Sequence, residues 1–134
     1  MIPTGNTILT ANLELKSQPS KQHRMILDTN RIVGKCDTLE AVKQTVFKIL
    51  NTERYEYIIY SWNYGIELAD LFGKSVMYVC PEIERRIKEA LLQDDRITSV
   101  TDFDFDISKR GVVSVAFTVH TIFGDLDEGM VVNI

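Results

Sequence analysis

The hydrophobic period changes once along this chain, and that change limits the fold more than any other feature. In the first half, Leu39, Val42, Val46, Ile49 and Leu50 recur every three or four residues, the spacing of one helix face. In the last third, Phe103, Phe105 and Ile107 alternate with Asp102, Asp104 and Asp106, the pattern of a strand with one buried and one wet face. VVSVAFTVHTIF continues as a long strand. Helices first and an antiparallel meander last make an α+β protein, two main helices packed on a mostly antiparallel sheet. The spacing predicts helices over 38–52 and 82–93, and strands over 98–107, 112–123 and 129–134 of one sheet.

Local signals sharpen the boundaries. Asp37 can cap the first helix, with Glu40 completing a capping box. Pro81 fits the first position of the second helix, where no amide donor is needed. Ile83, Ile87, Ala90 and Leu91 face one way, and Glu82–Arg86 and Glu84–Lys88 are i,i+4 pairs. HRMILDTNRIVG reads as a hairpin turning at Asp28-Thr29-Asn30. IELADLFGKS reads as a short helix ended by Gly73. SKRG and GDLDEG read as turns. TILTANLEL alternates like a strand, but its surroundings are polar, and residues 1–22 read as a mobile N-terminal arm. Residues 23–134 then form the single domain.

At 134 residues the chain can bury a core without disulfides. Its net charge of −4 argues against a nucleic-acid partner, which favours a basic face. Cys36 and Cys80 stand alone and read as reduced thiols. The start has no basic region followed by a long apolar run, and no stretch of 18 apolar residues exists, so neither export nor a membrane is expected.

Motif by motif, the chemistry thins out. Gly73-Lys74-Ser75 ends like a phosphate-binding loop, but Leu68 stands where its first glycine belongs. DFDFD opens like a calcium loop, but Ile107 and Val113 occupy the glycine and glutamate positions. His23, His120 and the two cysteines lack zinc spacing. Glu53 and Asp70 could be the carboxylate pair of a glycosidase, which needs one raised pKa and a defined separation. No metal, cofactor or small-molecule substrate is expected.

NTERYEYIIYSWNYGIEL holds four of the five tyrosines and Trp62, just after the adjacent pair Glu53-Arg54. Part of this aromatic set, Trp62 included, is expected in the core. Arg54 reads either as a cation at a helix C-terminus or as a partner contact, because arginine with aromatics is the composition of interface hot spots.

The run DTLEAVKQTVFKILNTERYEYIIYSWNYGIELADLFG resembles the XkdS-like tail proteins of PBSX-type elements and contractile-tailed phages. Leu39-Glu40-Ala41, Gln44, Leu50 to Arg54, Ile59-Tyr60, Tyr64-Gly65 and Leu71 to Gly73 carry the likeness, with Leu27-Asp28 and Ile32 to Gly34 upstream. It covers roughly residues 23–120. That family is similar, more distantly, to the T4-type baseplate wedge protein and to TssE of type VI secretion. The resemblance implies the wedge-protein fold and a non-enzymatic role as sheath initiator in a tail baseplate. It places Arg54 as the counterpart of a docking arginine in a Glu-Pro-Arg signature, although no proline stands here. Glu53, Arg54, Tyr55, Tyr60 and Tyr64 are the implied protein-binding residues. Other wedge proteins and sheath subunits are the implied partners, met in the bacterial cytoplasm during assembly and kept in the virion tail. The alternatives are a lysozyme-like tail glycosidase and a regulatory binder of the same fold.

Overall fold

The computed structural model describes residues 19–134. The expected TILTANLEL strand, and most of the expected arm, lie outside that range. The described chain runs β1 (Gln22–Ile26), β2 (Arg31–Cys36), α1 (Thr38–Leu50), α2 (Val76–Leu91), β3 (Ile97–Asp106), β4 (Val112–Thr121) and β5 (Gly124–Asn133). β1 and β2 form an antiparallel hairpin, and β3-β4-β5 form an antiparallel meander. The α+β class expected from the change of period is therefore present.

The hydrophobic effect explains the arrangement. Val42, Val46, Ile49 and Leu50 of α1 are buried, as are Ile83, Ile87, Ala90 and Leu91 of α2. They meet Val113, Val115, Phe117 and Val119, every second residue of β4. Each full burial of such a side chain is worth roughly 1.5–3 kcal/mol. The β1–β2 hairpin is held on α1 by polar bonds. Gln44 accepts from the Met25 amide at 2.8 Å and donates to the His23 carbonyl at 2.7 Å. Gln22 donates to the Ala41 carbonyl and to Thr45.

Five sequence expectations are corrected. The second helix begins at Val76, not at residue 82, and Pro81 lies inside it. Ser75, in extended backbone, accepts the first helical bonds from Tyr78 and Val79, and Val79 is fully buried. Burial of Val79 helps offset the cost of about 3 kcal/mol for an interior proline. The expected helix over IELADLFGKS shrinks to one 3-10 turn, Ala69–Leu71.

GDLDEG is not a turn. The chain reverses one step earlier, at Ile122-Phe123, and β5 starts at Gly124, so β4 stops at Thr121. The acids that looked like turn chemistry have cross-strand partners, Asp125 with His120 and Asp127 with Thr118. Ile107, expected to share the buried face of β3, lies past its end and is exposed. Asp37 does cap α1, accepting from the Thr38 amide at 2.7 Å, but no capping box closes. The Glu40 carboxylate pairs instead with Arg24 of β1.

Candidate functional site

The loop joining α1 to α2 contains the aromatic stretch. Its root is built like a core. The Arg54 amide donates to the Ile66 carbonyl and the Ile66 amide to the Thr52 carbonyl, so the two ends of the aromatic segment run side by side. Gly65 makes this approach possible: its φ is +93°, and a Cβ there would sit 2.6 Å from the Thr52 carbonyl oxygen. Only glycine tolerates both conditions.

Side chains complete the root. Glu53 Oε1 accepts from the amides of Leu68 and Ala69, at 3.0 and 3.1 Å, and so holds the start of the 3-10 turn. The Arg54 guanidinium donates to Glu89 of α2 at 2.8 Å and to the Gly65 carbonyl at 3.2 Å. Only 8% of its side-chain surface is exposed. Burial opposes its charge, and the bond and charge of Glu89 more than offset that, so its pKa is raised. The same bond, chiefly, holds the Glu89 carboxyl below its usual range. Next to it, buried Arg86 donates to both carboxylate oxygens of Asp70 and, at 2.7 Å, to the Glu67 carbonyl.

The tip is the opposite. Tyr55, Tyr57, Ile58, Ile59, Tyr60 and Trp62 are all exposed. Trp62, expected to be partly buried, is 81% exposed. The rings order one another instead of entering the core. Tyr60 stacks on half-buried Tyr64 at 4.4 Å, Tyr57 meets Tyr60 edge-on at 6.1 Å, and Trp62 tilts over Tyr55 at 5.6 Å. They enclose a concavity of about 240 Å³. Burial, then the neighbouring Tyr60, pushes the Tyr64 phenol above its ordinary value. Tyr64 is the one ring of the set that packs against the core.

The five residues singled out by resemblance thus fall into two groups. Glu53 and Arg54 bond inside the chain, Tyr55 and Tyr60 face outward, and Tyr64 links the two. Ile58, Ile59 and Trp62 were missed as surface residues. Their signal was an apolar run with neither helical nor strand period. The carboxylates weighed for glycosidase chemistry are both occupied. Asp70 in particular is held below the usual range by Arg86, the reverse of what a general acid needs.

His23 lies in β1 and His120 in β4, and both cysteines are free thiols. Among the described residues no group of three metal-binding side chains converges. No described helix is long and apolar enough to cross a membrane.

Residues 13–124 match the family of contractile injection system sheath initiators. The chain is also 40% identical over 124 residues to the phage-like element PBSX protein XkdS of Bacillus subtilis (strain 168), covering 87% of this chain and 86% of that protein. A family match over most of the described fold, with a relative aligned nearly end to end, leaves one assignment: the chain belongs to the contractile injection system sheath initiator family.

Proposed function

We propose that this protein is a non-enzymatic structural component of a contractile tail baseplate, and that it docks on wedge subunits through the tip of the α1–α2 loop. One observation carries the docking reading. A loop anchored by internal hydrogen bonds and ion pairs displays a cluster of exposed apolar rings at its tip. Clusters of this kind on a folded surface mark interaction sites. Tyr and Trp supply large contact area at little entropic cost, and a pre-ordered loop lowers the cost of binding further.

In this reading Arg54 and Glu53 are positioning residues, and Tyr55, Tyr60 and their neighbours Ile58, Ile59 and Trp62 are the contacts. Tyr64 transmits the order of the root to the tip. The partners are other wedge proteins and sheath subunits, met in the host cytoplasm and retained in the virion tail. The outer edges of β3 and β5 offer unpaired strand positions, which suits an initiator that seeds strand pairing with the sheath. The likeness to the wedge and TssE proteins supports the same assignment of fold, with β1, from Gln22 on, as part of the domain. The test is co-purification of the tagged protein with wedge and sheath subunits from cells producing the tail. Recovery of those subunits is expected. Turnover of peptidoglycan that disappears in Glu53→Gln would overturn the proposal in favour of the glycosidase.

A further inference from the structure

The outer face of the three-stranded sheet carries a hydrogen-bonded chain that the docking surface does not use. His120, in the central strand β4, has its Nδ1 2.8 Å from Asp125 Oδ1 of β5. Its Nε2 lies 2.7 Å from the Thr101 hydroxyl of β3. The same hydroxyl lies 3.2 Å from Asp102 Oδ2. Asp102 has a φ of 57° and sits where the β3–β4 register shifts, between Thr101 and Asp104.

Counting protons along this chain gives an unequal result for the two charge states of the ring. An ionised carboxylate only accepts, so Asp125 requires the hydrogen on Nδ1 in both states. A neutral ring then has a lone pair on Nε2, and the Thr101 hydroxyl must donate to it. That hydroxyl has one hydrogen, so it has none left for Asp102. When a proton from solvent binds Nε2, the ring donates to the Thr101 oxygen, and the hydroxyl hydrogen is free to point at Asp102. All three contacts are satisfied together only in the second state.

Several carboxylates lie near the ring. Asp125 and Asp127 of β5 and Asp104 of β3 lie on the face that His120 shares with Thr118 and Ser99, and Asp102, in the register break, reaches the cluster through the Thr101 hydroxyl. The arrangement has the nucleophile–base–acid order of a hydrolytic triad. It lies on an open sheet face rather than in a substrate-enclosing cleft.

We propose that Thr101, His120 and Asp125 form a proton-responsive clasp across the outer face of the sheet, in which protonation of His120 turns the Thr101 hydroxyl from the imidazole to Asp102. The clasp joins all three strands in both states, and in the protonated state the added Thr101–Asp102 bond fixes the irregular backbone of β3, one of the two edge strands of this sheet. In the neutral state that edge is held less tightly.

The experiment is nuclear magnetic resonance of the whole protein labelled with ¹⁵N and ¹³C, recorded in steps from about pH 8 to about pH 5, across the ordinary imidazole range. At the higher pH the neutral ring is expected with its hydrogen on Nδ1, the less common tautomer. As the pH falls, the Asp102 amide and carboxylate signals are expected to move with the midpoint of the His120 ring. Amide exchange over 101–104, corrected for its intrinsic pH dependence, is expected to slow about 5-fold, the protection of one added hydrogen bond. In Thr101→Val the ring still titrates but Asp102 no longer follows it, and in His120→Gln neither change occurs. A hydrogen on Nε2 at the higher pH would overturn the proposal. So would Asp102 signals that follow His120 unchanged in Thr101→Val, because the coupling would then bypass the hydroxyl. Both substitutions are on the outer face of the sheet, and the same spectra report whether the fold is kept.

Discussion

At the root of the α1–α2 loop, Arg54 reaches Glu89 and Arg86 reaches Asp70. At its tip, Ile58 and Trp62 stand in solvent. The two regions lie within one stretch of chain and obey opposite rules. The root places charge where it is shielded, and the tip places apolar surface where it is wet. The tip does not follow from minimising the free energy of the isolated chain. Burying an arginine costs desolvation, which its partners must offset, and exposing apolar rings forgoes roughly 25 cal/mol for each Å² left in water. The two make sense together if the root fixes a surface that is completed only by a partner. Altering each region separately should therefore give effects of different kinds, stability at the root and association at the tip.

The largest effect on stability is expected at Gly65. Alanine there must take a φ of +93° and place its methyl 2.6 Å from the Thr52 carbonyl. Gly65→Ala should destabilise the fold by roughly 3 kcal/mol in denaturant unfolding. A loss below about 1 kcal/mol would mean that the root shifts freely and does not fix the tip.

Arg86→Met comes next. It keeps most of the buried stem but abandons Asp70 and the Glu67 carbonyl, at a cost of about 2 kcal/mol. Arg54→Ala should cost about 1 kcal/mol, because its partner Glu89 is half exposed and water replaces part of the bond. If Arg54→Ala lost more than Arg86→Met, the order of importance within the root would be reversed.

Acid should loosen the root. Asp70 and Glu89 have ordinary carboxyl values of 3.8 and 4.5, and both are lowered, chiefly by hydrogen bonds from Arg86 and Arg54 respectively. Groups with lowered values stabilise the fold above their unfolded pKa, and that contribution is lost as the pH falls through the folded pKa. Stability attributable to the root should therefore be complete above about pH 5 and decline below about pH 4. Both carboxylates are about half exposed, so the slope is small. Arg54→Ala should flatten it further in acid unfolding followed by circular dichroism, and an unchanged slope would remove Glu89 from the account.

The architecture was legible in the sequence wherever burial is periodic. The stripe of α1 and the alternation of β4 came through because a single element fixes its own pattern. Pro81 and GDLDEG misled for the opposite reason. Each is a local signal overruled by distant contacts, the burial of Val79 in one case and the pairing of β5 with β4 in the other. The loop was half legible. Its composition set the aromatic stretch apart, but the Arg54–Glu89 bond joins residues 35 apart and the Arg86–Asp70 pair residues 16 apart, separations with no local signature. Exposure of Trp62 went against the habit of large aromatics, and only the folded root shows why the ring has no core to enter.

The smallest effect on stability belongs to the tip, and it carries the central claim. Ile58→Ser with Trp62→Ser removes two side chains that are almost wholly in solvent, so unfolding should change by no more than about 0.5 kcal/mol. The decisive measurement combines thermal unfolding of this double variant with its recovery in tail baseplates from cells that lack the wild-type protein. The account predicts a melting curve close to wild type and loss of the protein from the baseplate fraction. Normal incorporation of a normally folded double variant would contradict it, and would leave the exposed rings without a partner at this site.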